Sequence, residues 1–134
     1  MSDLITDTHA AIWYFSMSPE MSALARQTIN NAVGSGNVII LPTISIVEIV
    51  YLIEKNRLLP QTLARLMQEL SLSNSSFVTQ DLTAGIARAL QQIPRSIVPD
   101  MPDRIVSATS LHLNLPLITK DGSIRKLTNI QTIW

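Results

Sequence analysis

Short apolar runs recur along this chain, and acidic residues mark their edges. Leu4-Ile5 passes through Thr6 into Asp7. Val38 to Leu41 precedes Glu48, Asp103 opens the run Ile105-Val106, and Leu117-Ile118 leads through Thr119 to Asp121. Between the runs, apolar residues return at helical spacing. Short strands alternating with helices confine the chain to an α/β fold with a mostly parallel sheet. In such a sheet the strand carboxyl ends gather on one edge, where ligands bind. Carboxylates brought there from distant stretches repel one another unless a hard cation such as Mg2+ or Mn2+ neutralises them. The pattern therefore points to metal-dependent chemistry on a phosphate.

The spacing predicts helices over 8–15, from Ser18-Pro19-Glu20 through Ala32, after a Ser45 cap, after Pro60, from Leu82 to Ile93, and from Pro102 through His112. Strands are expected at 4–6, 38–41, 77–78, 117–119 and 130–133. A length of 134 residues suits a single domain, 1–134, with a substantial core. Hydrophobic residues make up 46% and charged residues only 15%. That balance asks for a buried sheet, or for an apolar face that meets a partner. The longest apolar candidate, 38–53, is broken by Pro42, Thr43, Ser45, Glu48 and Tyr51, so no membrane span is expected. The first residues carry Asp3 and Asp7 rather than the basic start of a signal peptide, and a cytoplasmic location is expected. Without cysteine there is no disulfide, thiolate zinc site or thiol catalysis. Net charge is zero, so no global basic footprint marks a nucleic-acid binder. However, Arg95, Arg104, Lys120, Arg125 and Lys126 share the C-terminal third with Asp100, Asp103 and Asp121.

Each acid also has a purely structural reading. Asp7 is a good N-cap. Ser45-Ile46-Val47-Glu48 fits a capping box. Asp100 and Asp103 flank a helix start, where the dipole favours negative charge. Asp121-Gly122 is an ordinary turn pair. The functional reading rests on their joint placement. Trp13 reads as core, His112 as a core or interface residue, and Trp134 as packing under the last strand or at a dimer contact. Aromatics are only 4%, which argues against a base-stacking platform.

Four segments carry a resemblance. Leu4-Ile5-Thr6-Asp7-Thr8-His9-Ala10-Ala11-Ile12-Trp13 resembles the opening of PIN-domain ribonucleases, and in particular the toxin subunits of VapBC-type toxin–antitoxin pairs, in the subgroup that reads Asp-Thr-His-x-x-Ile-Trp. Ser45-Ile46-Val47-Glu48 stands where that family has Ser-x-x-Glu. Asp100-Met101-Pro102-Asp103-Arg104 is similar to Asp-Pro-x-Asp-Arg, with the proline one place later. Leu117-Ile118-Thr119-Lys120-Asp121 is similar to Leu-Ile/Val-Thr-x-Asp. Their order and spacing match along essentially the whole chain.

The resemblance implies a PIN-like three-layer sandwich, with a central, mostly parallel sheet flanked by helices. It implies an endoribonuclease that hydrolyses RNA phosphodiesters with Mg2+ or Mn2+, acting as a toxin. Asp7, Glu48, Asp103 and Asp121 would line the metal site, with Asp7 and Asp103 as direct ligands and Asp100 as an accessory. Thr119, Arg104, Lys120 and Arg125 are candidates for holding RNA. His9 is placed near the rim rather than as a general base. Expected partners are the RNA, a small cognate antitoxin and a second copy of the chain. Two alternatives stand beside this. One is a PIN-like nuclease of RNA processing or DNA cleavage without an antitoxin. The other is a non-catalytic binding module whose acids only cap helices.

Overall fold

The computed structural model describes residues 2–134. Strands β1 (Leu4–Thr6), β2 (Ile39–Pro42), β3 (Phe77–Gln80), β4 (Leu117–Ile118) and β5 (Thr132–Ile133) form one sheet in the order β3-β2-β1-β4-β5. All four pairings are parallel. Helices α1 (Thr8–Phe15), α2 (Ala23–Gly34), α3 (Thr43–Glu54), α4 (Pro60–Ser71), α5 (Ala84–Ala89) and α6 (Met101–Leu113) supply the crossovers. From β1 the chain builds outward through β2 to β3. It then returns to place β4 on the opposite side of β1. The order reverses between β1 and β4, and a crevice opens at the carboxyl ends of strands at such a switch point.

Strand alternation explains the layers. Successive side chains of a strand point to opposite faces. Leu4, Ile39 and Ile118 go to one face, where Ala25 and Ile29 of α2 cover them. Ile5 and Leu117 go to the other, against Ile86 of α5 and Val106 and Ala108 of α6. A third cluster ties Ala11 and Ile12 of α1 to Leu41, Ile49 of α3 and Leu66 of α4. Fully burying one such aliphatic side chain contributes roughly 1.5–3 kcal/mol. The expected three-layer α/β architecture is the one observed, with a sheet that is wholly parallel.

Several boundaries differ from the sequence reading, each for a local reason. Helix α2 begins at Ala23, because Ser22 is its cap and accepts from Ala25 N at 3.0 Å. Ser18 accepts from Glu20 N in a turn of its own. Helix α3 starts at Thr43, straight from the strand, with Pro42 at the N-cap and no side-chain cap. Ser45 is therefore inside the helix and fully buried. Helix α5 starts after a Thr83 cap and ends in a 3-10 turn, Leu90–Gln92, while Leu82 stays exposed. The final strand shrinks to Thr132–Ile133. His112 is not a core residue. It is exposed in the last turn of α6, and its ring fills the space where Gly85 lacks a side chain; a Cβ there would lie 2.7 Å from the imidazole.

Candidate active site

Asp7 follows β1 directly and caps α1. Its Oδ1 accepts from Ala10 N at 2.8 Å, and its Oδ2 accepts from the Thr119 hydroxyl. The capping reading is thus correct without excluding a site role, because the two oxygens face different donors. Asp7 is buried, and burial raises its pKa above the ordinary carboxylate value. The bonds from Thr119 and Ala10 and the nearby His9 oppose that rise, and the charge of Asp121 adds to it. Thr119 also accepts from Asp121 N at 3.0 Å, and Asp121 Oδ1 accepts from Ile124 N at 2.9 Å. One hydroxyl therefore ties the end of β1 to the loop after β4.

Helix α3 brings the next acid. The Thr8 hydroxyl donates to Glu48 Oε1 at 2.5 Å and shares a hydrogen bond with Ser45 Oγ at 2.8 Å. Glu48 is not the return arm of a capping box, since Ser45 is no cap. It faces α1 instead. Burial raises its pKa first, the Thr8 bond lowers it, and Asp100 pushes it up again.

Helix α6 supplies the last two. Asp100 caps it, accepting from Asp103 N at 3.2 Å. Ligand oxygens of Glu48, Asp100 and Asp103 all lie within 4.8 Å of one another. Asp103 is pushed up to about 7, by burial first and then by the charges of Asp121, Asp100, Glu48 and Asp7. Asp7, Glu48, Asp100, Asp103 and Asp121 line one cavity of about 510 Å3 with Thr8, His9, Trp13 and Lys120. Such crowded carboxylate oxygens are the donors that a hard divalent cation takes, and the neighbouring charges that add to the effect of burial on Asp103 are what a cation would relieve. The residues fit Mg2+ or Mn2+.

The four acids singled out from sequence thus share one cavity, and Asp100 stands with them as a full member of the three-residue cluster. The basic candidates divide. Lys120 lines the cavity. Arg104 does not reach it; its guanidinium donates to the carbonyls of Leu90 at 2.8 Å and Ile93 at 3.0 Å. These bonds close the turn after α5. Arg125 is exposed in the 3-10 turn Ile124–Lys126 and is not among the residues lining the cavity. Thr119 is fully buried, and its hydroxyl is taken up by Asp7 and Asp121 rather than facing the cavity. Sequence reading missed Thr8, whose hydroxyl after an acid looks like any first-turn threonine. It also assigned Trp13 to the core, whereas the indole is half-buried on the cavity wall.

The family model of the PIN domain matches residues 4–130. The chain belongs to the PIN-domain family. This PIN domain is 26% identical over 136 residues, covering all of both chains, to Ribonuclease VapC22 of Mycobacterium tuberculosis (strain ATCC 25618 / H37Rv). Its fold is shared with VapBC2 from Rickettsia felis, solved bound to a DNA fragment from their promoter, at a TM-score of 0.73 and 14% identity, over 98% of this chain and 97% of that one. It is likewise similar to the DNA-bound VapBC from Salmonella typhimurium, at a TM-score of 0.72 and 16% identity, over 99% and 98% of the two chains. No helix among the described residues of this PIN domain is long and apolar enough to cross a membrane.

Proposed function

We propose that this PIN domain is a divalent-metal-dependent endoribonuclease and the toxin of a type II toxin–antitoxin pair, working in the cytoplasm as a homodimer. The observation that carries this reading is the gathering of five carboxylates in one cavity at the switch point of the sheet. Full-length similarity to a ribonuclease supports RNA as the substrate. Structural similarity to chains solved in VapBC complexes supports a small antitoxin as partner.

Glu48, Asp100 and Asp103 would hold the metal, with Asp7 and Asp121 across the same cavity. When bound, the cation supplies a water of lowered pKa and neutralises charge on the attacking and leaving oxygens. The chain's own residues do the rest. Thr119 and Ala10 N fix the Asp7 carboxylate, and Thr8 fixes Glu48. Each acid is thus aimed before substrate arrives, so little reorganisation is left for the reaction. Asp121 is anchored by Ile124 N and Thr119 beside Asp103. Lys120 offers a cation beside the acids to a backbone phosphate.

The test is cleavage of a mixed RNA with Mg2+, Mn2+ or EDTA, with Asp7→Asn protein prepared identically. Cleavage should need metal and vanish in the variant. Equal cleavage by both proteins would overturn the site.

A further inference from the structure

The cavity has a second wall that is not acidic. His9 is exposed, and its ring centroid lies 5.5 Å from that of Trp13 at a 46° tilt. Trp13 is backed in turn by Trp134, at 5.8 Å. Lys120 Nζ stands 5.5 Å from the Trp13 ring centroid and 3.1 Å from Glu20 Oε2. Thus few aromatics do not mean no stacking surface. With only two tryptophans in the chain, both are placed here, one on the cavity wall and the other behind it.

We infer that His9 and Trp13 form a seat for a nucleobase next to the scissile phosphate, with Lys120 as the grip on an adjoining backbone phosphate. This rests on the nuclease reading of the neighbouring acids. Three observations carry it. The two rings line the same cavity as the carboxylates, so a nucleotide placed on them keeps its phosphate within that cavity. The His9 ring is exposed and lies against a half-buried indole that packs on the core, and aromatic side chains set beside a phosphate-binding site are what an unpaired base stacks on. The Lys120–Glu20 pair is exposed on both sides, and such pairs contribute little, so the ammonium exchanges a carboxylate for a phosphate at small cost. A base laid on this seat must be out of any duplex stack.

Two readouts test the seat. The first needs no cleavage. Trp134→Phe leaves Trp13 as the sole tryptophan, and GMP, AMP, CMP and UMP are titrated with Mn2+ present, beside ribose 5-phosphate. Nucleotides should quench Trp13 emission and ribose 5-phosphate should not; His9→Ala in the same background should weaken the quench. The second is kinetic. His9→Ala and Trp13→Leu should raise KM for RNA about 5- to 150-fold with kcat much less changed, by the usual size of one base–aromatic stack, and Trp13→Phe should restore KM. Equal quenching by ribose 5-phosphate would mean that only the phosphate binds, and would overturn the seat. An unchanged KM in His9→Ala, with a wild-type unfolding curve, would overturn it as well. Failure of the nuclease reading looks different: the wild type would not cleave, or Asp7→Asn would cleave equally, and the quench experiment would still decide whether a base is bound.

Discussion

The Thr119 hydroxyl at the end of β4 donates to the Asp7 carboxylate at the end of β1, across the crevice where the sheet order reverses. The two residues are 112 positions apart in sequence. Both are buried, so the bond cannot be replaced by water without rearrangement. Thr119→Val keeps the shape and removes the donor. It should cost about 1–3 kcal/mol of stability, the penalty for a buried acceptor left unpaired, and lower cleavage. Thr119→Ser should keep most of both. Urea unfolding and initial rates on one RNA check this; a neutral Thr119→Val would mean that Asp7 does not need this donor.

Thr8 plays the same part for Glu48. Its hydroxyl bond to Oε1 crosses from α1 to α3. Thr8→Val should slow metal-dependent cleavage and lower stability by about 1.5–3 kcal/mol, the range for hydrogen bonds to charged groups. Thr8→Ser should recover the rate. If valine and serine behave alike, the hydroxyl is idle.

Asp103 gives a prediction with opposite signs. Its charge is opposed by four neighbouring carboxylates. Asp103→Asn removes part of that repulsion, so the metal-free variant should unfold at a higher temperature than the metal-free wild type. The same change removes a carboxylate from the proposed metal site. Cleavage should fall at least 100-fold, about 2.7 kcal/mol or more of barrier, and Mn2+ should no longer raise Tm. A lower metal-free Tm would show that Asp103 is satisfied as a carboxylate without a cation.

The pH dependence follows from the same group. Asp103 sits at about 7 in the folded chain, against an ordinary value of 3.8. Between those values the folded chain holds a proton that the unfolded chain has lost. Stability of the metal-free protein therefore falls as pH rises through this window. Asp7 and Glu48, both raised, add in the same direction. In EDTA, Tm should be higher at pH 5.5 than at pH 8, read by circular dichroism. Mn2+ competes with those protons, so its stabilising effect should grow over the same interval. A Tm that rises with pH in EDTA would contradict the crowded-acid site.

Arg104 separates structure from substrate binding. Its guanidinium satisfies carbonyls at the end of the turn after α5. Arg104→Ala should destabilise the fold by about 1.5–3 kcal/mol and leave KM for RNA near the wild-type value. Lys120→Ala should do the reverse, raising KM with little loss of stability. Parallel unfolding curves and Michaelis–Menten measurements tell the two apart.

The sequence by itself determined the layers and the cast of acids. Short apolar runs such as Leu4-Ile5-Thr6, buried on both faces of their strand, and helices with one apolar face can satisfy their burial only as helices packed on both sides of a sheet. The acids at Asp7, Glu48, Asp103 and Asp121 were legible because polar residues placed against apolar runs stand out locally. Tertiary structure alone decided which neighbours each of them meets. Whether Glu48 turns back to its own helix or out to Thr8 depends on α3 starting at Thr43, directly after Pro42, a boundary set by how β2 ends in the sheet. The consecutive residues Asp103 and Arg104 part company because successive helix positions turn by about 100°, sending one to the acids and the other to the carbonyls of Leu90 and Ile93. Trp13 looked like core from its apolar character; helix spacing within α1 already sets its ring beside His9, four residues earlier, whereas only the tertiary structure brings Lys120 from the loop after β4 over that ring. Local sequence carries propensity and pattern; the direction in which a side chain finally points is fixed by contacts with residues far away in the chain.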